Sequence, residues 1–451
     1  MMKKNPAKKA LTEKEESAAR ARRGNKSFSR LRGMRDVLFE ESKYWEAVGK
    51  KASELARTYG FKRIETPILE KLELYERSTG KTSDIVTKEM YSFVDKSGEK
   101  VAMRPEATAG LVRAFVEHGM FNLPQPVKMF WFGPAFRHDR PQAGRYRQFT
   151  QFNLEMFGEA GPVADAQLIL VAYNFFKELQ VGVQMHVNSI GCKDCRKGYL
   201  EKLTKYYKEK GRRSKICNDC KKRLVKNPLR LLDCKETACV EIRKDAPQIV
   251  DSLCDSCRDH FVRVLEYLDD LGINYSLQPF LVRGLDYYNR TVFEIVPEDE
   301  GEDGRQNSLG GGGRYDELVE FLGGRPTPAC GFGVGVERTI LKIKEQNIVV
   351  KSDEQADVFI AQLGEQSRRR AMVLFEELRR AGYRVAQQFS KDSLKAQLEE
   401  ANRLGVKFSL ILGQKELSDG TILVRDMESG VQEVVDLNKV RADIGKRLQV
   451  I

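Results

Sequence analysis

Residues 128–158 read KMFWFGPAFRHDRPQAGRYRQFTQFNLEMFG. Two largely apolar runs, each typical of a β-strand, flank a polar stretch with proline and glycine, and this pattern predicts a β-hairpin. Between two phenylalanines, residues 136–149 place four arginines, one histidine and one aspartate. Because charged side chains are rarely buried without a partner, this hairpin is not an ordinary core segment.

The arginines of the hairpin indicate a site for phosphate groups. They alternate with aromatic and amide residues, which would bring several guanidinium groups to one side of the hairpin. Guanidinium groups bind phosphate oxygens in a bidentate manner and stay protonated at neutral pH. The alternative, arginines in surface salt bridges, normally comes with acidic neighbours, and only Asp139 lies in the stretch. The pattern therefore favours a polyphosphate ligand.

Length and composition are typical of a globular protein with two or three domains. The chain has 451 residues, of which 41% are hydrophobic and 31% are charged. Since no run approaches the roughly 20 apolar residues that a membrane span needs, we do not expect a membrane protein. Residues 1–28 lack the apolar region of a signal peptide and contain three glutamates. We interpret them as a disordered basic tail on a cytoplasmic protein.

The net charge of +12 is concentrated in two segments. Residues 1–35 carry +9 and residues 192–258 also carry +9, which leaves −6 for the rest of the chain. Two basic segments on a mildly acidic body are typical of a protein that contacts a polyanion at particular places. A basic tail alone is more often a solubilising arm, so the tail adds little to this interpretation.

Periodicity predicts the elements around the hairpin. Residues 40–60 have helical spacing of apolar side chains and end at glycine, and residues 61–70 resemble a strand. After a polar linker near residues 344–356, strand-like and helical segments alternate to the end of the chain. The sequence therefore predicts a separate C-terminal α/β module of about a hundred residues.

Eight of the nine cysteines lie between residues 192 and 257. Three of the four cysteine pairs are CxxC, whose two-residue gap lets both thiolates reach the same tetrahedral metal ion, and a reducing cytosol favours zinc over disulfides. Four pairs would complete two four-thiolate sites, whereas scattered reduced thiols or a knuckle without an ion are the alternatives. The pairs are Cys192/Cys195, Cys217/Cys220, Cys234/Cys239 and Cys254/Cys257.

Three further segments carry polar or glycine-rich patterns. MRPEATAG, residues 103–110, offers a carboxylate and a hydroxyl to a ligand ammonium group. LVRGLDYYNRTVFEI, residues 281–295, places one arginine and two tyrosines at the start of a strand. LGGGGRYDELVEFLGG, residues 309–324, permits close backbone approach to a planar ligand, although a glycine run is usually a flexible loop.

Several segments resemble the signature sequences of histidyl-tRNA synthetase, a class II aminoacyl-tRNA synthetase. The similarity extends from RGMRDVL near residue 32 to DSLKAQLEEANRLG at residues 392–405, so that only about the first 28 residues lie outside it. The segments that carry the resemblance are FRHDRPQAGRYRQF, RGLDYYNRTVFE, GGRYDELV, CGFGVGVERTILKI and STGKTSDIVTKEMYSF.

The resemblance implies an α+β fold. Its catalytic domain would have an antiparallel sheet of six to seven strands flanked by helices, and the assembly would be a homodimer. We expect the tail at 1–28, the catalytic domain at 29–350 with a basic cysteine-rich insertion at about 190–260, and an anticodon-binding α/β domain at 351–451.

The resemblance also implies a two-step reaction. L-Histidine reacts with ATP, supplied with Mg²⁺, to give histidyl-adenylate and pyrophosphate, and the histidyl group then passes to the 3′ end of tRNA(His). In this scheme Arg137 binds the α-phosphate and the amino-acid carboxylate, and Arg283 holds the α-phosphate from the other side. Arg338 meets the γ-phosphate end of ATP, and Arg145 lies in the loop over it.

The same resemblance assigns the histidine-binding residues. Glu106, Thr108 and Gln151 take the ammonium group, and Ala107 stands where the family often has glycine. An imidazole is recognised by groups that bond both ring nitrogens, because a ligand without them leaves buried polar groups unpaired. These residues are Glu155 and Tyr288, with Tyr287 in the same pocket.

Two other classes of protein share parts of this pattern. The regulatory subunit of ATP phosphoribosyltransferase is a silent paralogue of the synthetase body, but it lacks the anticodon domain and the full arginine set. A zinc-dependent nucleic-acid-binding protein would use the basic cysteine-rich segment, yet it leaves the arginine hairpin unexplained. Gripping the tRNA acceptor arm is therefore kept as a subsidiary role of that segment.

Overall fold

The computed structural model describes residues 28–80, 83, 85–299, 308–350, 356–390 and 393–449. Apart from residue 28, the tail predicted at 1–28 lies outside the described residues. The chain forms two compact units, Met1–Val349 and Val350–Ile451. No helix among the described residues is both long and apolar enough to cross a membrane.

The first unit is built on two β-sheets. Its strands are β1 Lys62–Arg63, β2 Leu69–Lys71, β3 Ser92–Val94, β4 Lys100–Met103, β5 Val127–Phe136, β6 Gln148–Phe157, β7 Val183–Ser189, β8 Tyr275–Leu277, β9 Asn289–Pro297, β10 Gly310–Arg314 and β11 Ala329–Gly335. The larger sheet has the order β1-β5-β6-β11-β10-β9-β7-β8, and the smaller sheet has the order β2-β4-β3.

Helices cover and connect these strands. They are α1 Phe39–Thr58, α2 Leu72–Ser78, α3 Thr108–Glu117, α4 Pro162–Glu178, α5 Lys193–Lys208, α6 Lys210–Arg213, α7 Asn218–Lys226, α8 Thr237–Lys244, α9 Asp255–Asp270, α10 Leu318–Phe321 and α11 Val336–Glu345. Short helical turns lie at Ile85–Glu89, Met120–Asn122, Pro228–Leu231 and Ile249–Ser252. Helices α5 to α8 and the first six residues of α9 lie in the predicted insertion.

The larger sheet confirms an antiparallel body. Strands β5, β6, β11, β10, β9 and β7 pair antiparallel in that order, while the short edge strands β1 and β8 pair parallel with β5 and β7. The two edge strands raise the expected six or seven strands to eight. Residues 61–70 were expected to form one strand, and this was wrong. The chain leaves one sheet after Arg63 and enters the other at Leu69, and Pro67, which has no N–H to donate, lies in the unpaired stretch between them.

The predicted hairpin is present, with β5 and β6 paired along ten residues each. Side chains alternate between its two faces. Phe152 of β6 is fully buried, and its ring lies 5.2 Å from that of Phe175 on α4 and 6.1 Å from that of Phe332 on β11. Burial of each such ring contributes about 2 kcal/mol and fixes one face of β6 against the helix layer. The opposite face of β6 is polar and open to a cavity.

The second unit is an α/β fold, as expected. Strands β12, β13 and β14 are parallel, and β15 and β16 extend the sheet antiparallel, in the order β13-β12-β14-β15-β16. Side chains on both faces of β12 and β14 are buried. The bounds are β12 Val358–Gln362, α12 Glu365–Arg380, β13 Val385–Gln387, α13 Leu394–Arg403, β14 Phe408–Leu412, α14 Gln414–Asp419, β15 Thr421–Asp426, β16 Gln432–Asp436 and α15 Val440–Gln449.

Candidate active site

A cavity of about 340 Å³ lies over the middle of the larger sheet. Polar side chains of β6 and a row of glycines on the neighbouring strands form its floor. In the register of the sheet, Gly335 faces Gln151, Gly333 faces Asn153 and Gly331 faces Glu155. Because glycine has no side chain, the floor has room for a ligand between the polar groups.

A glycine run usually forms a flexible loop. Here it forms β10, a central strand between β9 and β11. A Cβ atom on Gly311 would lie 2.6 Å from Nη1 of Arg283, closer than atoms in contact allow. On β11, a Cβ atom on Gly331 would overlap the carboxylate of Glu155. The glycines thus make space for the functional side chains themselves as well as for a ligand.

Four arginines from three separate segments line the cavity. Arg137 and Arg145 come from the loop of the hairpin, Arg283 precedes β9, and Arg338 lies in the first turn of α11. Burial lowers the pKa of Arg338, and the positive charges of Arg145 and Arg137 lower it further. Because neighbouring positive charges repel one another, a ligand that carries several negative charges stabilises this arrangement of arginines.

Hydrogen bonds within the site hold three of these guanidinium groups in place. Arg137 donates from Nε to the carbonyl oxygen of Pro105 at 2.8 Å and lies over the ring of Phe149. Arg145 pairs with Asp139 at 2.8 Å and is about half exposed. Arg338 donates to the carbonyl oxygen of Ser308. Each retains N–H groups for a ligand, since a guanidinium group has five.

Arg283 meets the cavity from the opposite side. Its Nη1 lies 3.5 Å from a carboxylate oxygen of Glu294, which is opposite Gly311 in the sheet. Its Nε is buried and has no hydrogen-bond partner among the described residues. A buried donor without a partner costs free energy unless a ligand accepts from it, so Arg283 has capacity for an anion.

Glu106, Thr108 and Gln151 also line the cavity. The carboxylate of Glu106 accepts from the backbone N–H groups of Thr108 at 2.7 Å and Ala109 at 2.8 Å, which satisfies the first turn of α3. The side-chain oxygen of Gln151 is buried and meets no donor in the described part of the chain. An ammonium group, which offers three donors, fits between these acceptors.

Glu155 lies beneath the cavity wall and is 1% exposed. Its carboxyl group accepts from Thr108 Oγ1 at 2.7 Å and from the hydroxyl of Tyr315. Burial raises the pKa of Glu155 to about 8, although these two hydrogen bonds oppose the shift. Glu155 is therefore connected to the cavity through Thr108, which lines it. Tyr287 and Tyr288 line the cavity directly.

Tyr287, Tyr288 and Tyr315 form an aromatic cluster beside that carboxyl group. The ring centroids of Tyr287 and Tyr288 are 4.6 Å apart, and the ring of Tyr315 is 5.5 Å from that of Tyr287. Burial raises the pKa of all three phenols. They stay protonated at neutral pH and act there as hydrogen-bond donors.

Three residues of the quoted segments do not reach the cavity wall. Ala107 is buried against Leu111 in a small apolar cluster. Arg147 donates to the carbonyl oxygen of Arg32 at 3.2 Å, and Arg140 is likewise outside the lining. Since the loop of the hairpin turns back on itself between Gln142 and Arg145, only two of its four arginines face the ligand space.

The eight cysteines of the insertion form two clusters of four sulfur atoms, in which all Sγ atoms lie within 4.8 Å of one another. We call Cys192, Cys195, Cys254 and Cys257 the outer site, and Cys217, Cys220, Cys234 and Cys239 the inner site. The clusters combine the first pair with the last and the second pair with the third. Zn–S bonds of about 2.3 Å in a tetrahedron would separate the sulfurs by roughly 3.8 Å, and Cys217 and Cys234 are 3.9 Å apart.

The sequence matches known proteins over both units. The profile of the family described as histidyl-tRNA synthetase covers residues 33–339, and that of the anticodon binding domain covers residues 357–447. The chain belongs to the histidyl-tRNA synthetase family.

Relatives of this synthetase family match almost end to end. A histidine–tRNA ligase of Natranaerobius thermophilus is 45% identical over 90% of this chain and 96% of its own length. One from Desulforudis audaxviator is 47% identical over 91% of this chain and 97% of its own. The crystal structure of apo S. aureus histidyl-tRNA synthetase superposes with a TM-score of 0.78 at 34% identity, and the match covers 93% of this chain and all of that one.

Sequence reasoning missed several residues that shape this synthetase site. Tyr315 bonds Glu155, and Glu294 lies beside Arg283. Arg314 is fully buried and donates to Asp165, and it does not line the cavity. Both Arg314 and Tyr315 lie in the quoted segment GGRYDELV, yet the letters alone do not give their partners. In the fold Tyr315 bonds Glu155 beneath the cavity, whereas Arg314 bonds Asp165 in the core.

Proposed function

We propose that the chain is a histidine–tRNA ligase that activates L-histidine with ATP and transfers it to the 3′ end of tRNA(His). The observation that carries this proposal is the convergence of Arg137, Arg145, Arg283 and Arg338 on one cavity that also holds acceptors for an ammonium group. A nucleoside triphosphate and an amino acid together supply the opposite charges. Family membership is consistent with this assignment.

In the first step the two reactants are both anions at their reacting ends. An oxygen of the histidine carboxylate attacks the α-phosphorus of Mg²⁺-bound ATP, a new P–O bond forms, and the bond to the β-phosphate oxygen breaks to release pyrophosphate. Arg137 lies between the acceptors for the amino acid and the other arginines, so it offsets the repulsion of carboxylate and phosphate. Arg283, from the other side, stabilises charge that develops on the α-phosphate.

In the second step the terminal ribose hydroxyl of the tRNA attacks the acyl carbon and releases AMP. Selection of histidine rests on the layer beneath the cavity. Tyr288 donates to one ring nitrogen, and Thr108 relays the other N–H to Glu155, because its hydroxyl, which donates to that carboxylate, also accepts from the ring. A side chain without ring nitrogens would leave these buried groups unpaired, which disfavours it by roughly 10⁴-fold for groups of this kind.

Partners and assembly follow from further features. Both cysteine sites fit Zn²⁺ by donor type and spacing, and the reducing cytoplasm that we propose as the compartment keeps their thiols available. The basic insertion would grip the acceptor arm of the tRNA. The smaller sheet exposes Leu69, Phe93 and Val94 by about half, and we propose this apolar surface as part of a homodimer interface.

Exchange of labelled pyrophosphate into ATP tests the function without tRNA. The wild-type chain should catalyse exchange with L-histidine and not with L-phenylalanine, L-leucine or L-glutamine. Phenylalanine and leucine leave both buried groups unpaired, and the flexible amide of glutamine does not present its donor and acceptor at the two ring-nitrogen positions. A silent regulatory paralogue or a zinc-dependent nucleic-acid-binding protein should show no exchange with any amino acid. Exchange that is absent, or equal for all four amino acids, would refute the proposal.

A further inference from the structure

The loop at residues 278–288, which carries Arg283 and the two tyrosines, is described in full and contains no strand or helix. Side chains from other elements hold its backbone. Asn188 of β7 donates to the carbonyl oxygens of Pro279 at 3.3 Å and Leu281 at 2.9 Å. The catalytic sheet thus fixes the first part of the loop.

The insertion holds the remainder. Nη1 of Arg230 donates to the carbonyl oxygen of Arg283 at 3.1 Å, and Nδ2 of Asn227 donates to the carboxylate of Asp286 at 2.9 Å. Arg196 donates to the carbonyl oxygen of Tyr288 at 3.0 Å. A hydrogen bond to a backbone carbonyl fixes the main chain and leaves the side chain of Arg283 free to meet a ligand.

Two of these donors lie in the segment of chain between two cysteines of the inner site. Asn227 and Arg230 lie between Cys220 and Cys234, where α7 ends and the helical turn Pro228–Leu231 follows. Arg230 also pairs with Asp233 at 3.2 Å, directly before Cys234. The cluster of four sulfurs therefore sets where the tip of this segment, and with it the guanidinium group of Arg230, is located.

The inner site has features of a tetrathiolate centre besides its spacing. Backbone N–H groups point at its sulfur atoms: Cys217 donates to the sulfur of Cys239 at 3.2 Å, and Cys220 donates to that of Cys217 at 3.4 Å. Such bonds stabilise thiolates. Three of the four sulfurs belong to buried residues, and four adjacent thiolates would repel one another without a cation between them.

The inner site also shares the core of the active-site loop. Three of its cysteines, with Leu231 and Leu232, belong to one apolar cluster with Tyr288, and Cys217, Val282 and Leu285 pack against that cluster. A second cavity between them is lined by Cys217, Cys234 and Arg230 on one side and by Arg137, Arg145 and Gly284 on the other. The metal site is therefore a neighbour of the catalytic arginines in space as well as through hydrogen bonds.

We propose that the inner site, when it holds its metal, positions Arg283 for amino-acid activation through Arg230, which makes Arg230 a positioning residue. This inference rests on the proposed function for the role of Arg283. Its physical basis is that a shift of about 1 Å at a catalytic group costs on the order of 100-fold in rate. Loss of the Arg230 hydrogen bond releases the carbonyl oxygen of Arg283, and the metal keeps the donor within reach.

The first experiment compares Arg230→Ala, Arg230→Lys and, as a matched control, Arg213→Ala, an exposed arginine of the same insertion. Pyrophosphate exchange is measured with zinc content and thermal midpoint. Arg230→Ala should lower kcat about 10-fold or more with the KM for ATP within threefold, because the positioned group acts on the α-phosphate in the transition state. Zinc content and midpoint should stay at wild-type values, Arg230→Lys should recover part of the rate, and Arg213→Ala should match wild type.

Wild-type kcat in Arg230→Ala would overturn the inference. So would a loss of rate that is accompanied by loss of zinc or a lower thermal midpoint, since the residue would then be structural only. If the wild-type chain itself shows no exchange, the proposed function fails, and the following test of the loop still decides the positioning claim.

The second experiment measures amide hydrogen exchange in the full-length chain. Cys234→Ser breaks the inner site, and Cys254→Ser breaks the outer site. Exchange at residues 283–286 should accelerate in Cys234→Ser and in Arg230→Ala, and stay at the wild-type rate in Cys254→Ser. Equal rates in all four proteins, or equal acceleration by both cysteine changes, would contradict the inference. If Cys234→Ser does not fold, Arg230→Ala against wild type decides the question.

Discussion

Glu155 is a buried carboxyl group that stays protonated at neutral pH when no ligand is present. Burial raises its pKa to about 8, and the nearby charge of Glu106 adds to the shift. A ligand that donates an N–H bond or brings positive charge favours the ionised form. Glu155 is thus suited to sense an imidazole, and binding of histidine near pH 7 should release a proton from the protein.

The raised pKa of Glu155 makes a prediction about stability. Its pKa in the unfolded chain is near 4.5, so the folded state becomes less stable as the pH rises from that value towards 8. In Glu155→Gln this dependence is absent. The free energy of unfolding of the variant, relative to wild type, should therefore increase by about 2 kcal/mol between pH 6 and pH 8.

Urea denaturation of the unliganded proteins at both pH values checks this prediction. Glu46→Gln, which changes an exposed glutamate on α1, serves as the matched control and should show no such trend. A constant difference between wild type and Glu155→Gln across this range would mean that Glu155 ionises normally in the folded chain.

At the scale of elements, local patterns predicted the hairpin and the C-terminal module well. Strands β5 and β6 carry enough apolar residues and a clear polar break, and β12 to β14 alternate with helices at ordinary spacing. Residues 61–70 could not be divided from the pattern alone, because their two short strands are defined by partners in different sheets. Pairing with distant strands decides such segments.

The candidate site shows the same limit. All eight cysteines were identified by spacing. The combination of the first pair with the last, however, depends on the fold of the insertion, which brings its two ends together. The residue pattern alone did not separate the four arginines of the hairpin; the family resemblance singled out Arg137 and Arg145, and these two line the cavity. The glycine run was expected to permit close backbone approach to a planar ligand, although such a run is usually a flexible loop. Its place within the sheet leaves bare backbone beside Arg283.

The glycine-lined floor makes a prediction for β11. In Gly331→Ala, the added methyl group overlaps the carboxylate of Glu155, so this side chain must move. The KM for histidine in pyrophosphate exchange should rise about 100-fold, while the KM for ATP changes little. Overpacking of this kind should also lower the free energy of unfolding by about 1–3 kcal/mol.

Gly198→Ala provides the control for this change. An added Cβ on Gly198, in α5, meets nothing within 4 Å, and alanine favours a helix. Its kinetics should equal those of wild type. If Gly331→Ala retained the wild-type KM for histidine, the placement of Glu155 below the amino-acid pocket would be wrong.

At the scale of the whole molecule, every residue that lines the cavity lies between Ile85 and Arg338, within the first compact unit. The second unit has its own sheet and its own apolar core. The lining of the candidate active site and the anticodon-binding domain therefore belong to separate parts of the chain.

This division predicts the behaviour of a chain that ends at residue 349. It should catalyse histidine-dependent pyrophosphate exchange within about tenfold of the full-length rate, and its charging of tRNA(His) should fall by at least 100-fold. Both activities are measured on the same preparation, after circular dichroism has shown that it is folded. A folded truncated chain that charges tRNA as fast as the full-length protein would contradict the assignment of the second unit.

The central claim is that guanidinium groups from separate segments stabilise the phosphoryl group to which histidine becomes attached. Rapid-quench measurement of histidyl-adenylate formation in Arg283→Ala tests this most directly. The account predicts a rate constant for the first turnover at least 100-fold below that of wild type, with the same thermal midpoint. Adenylate formation at the wild-type rate in this variant would contradict it.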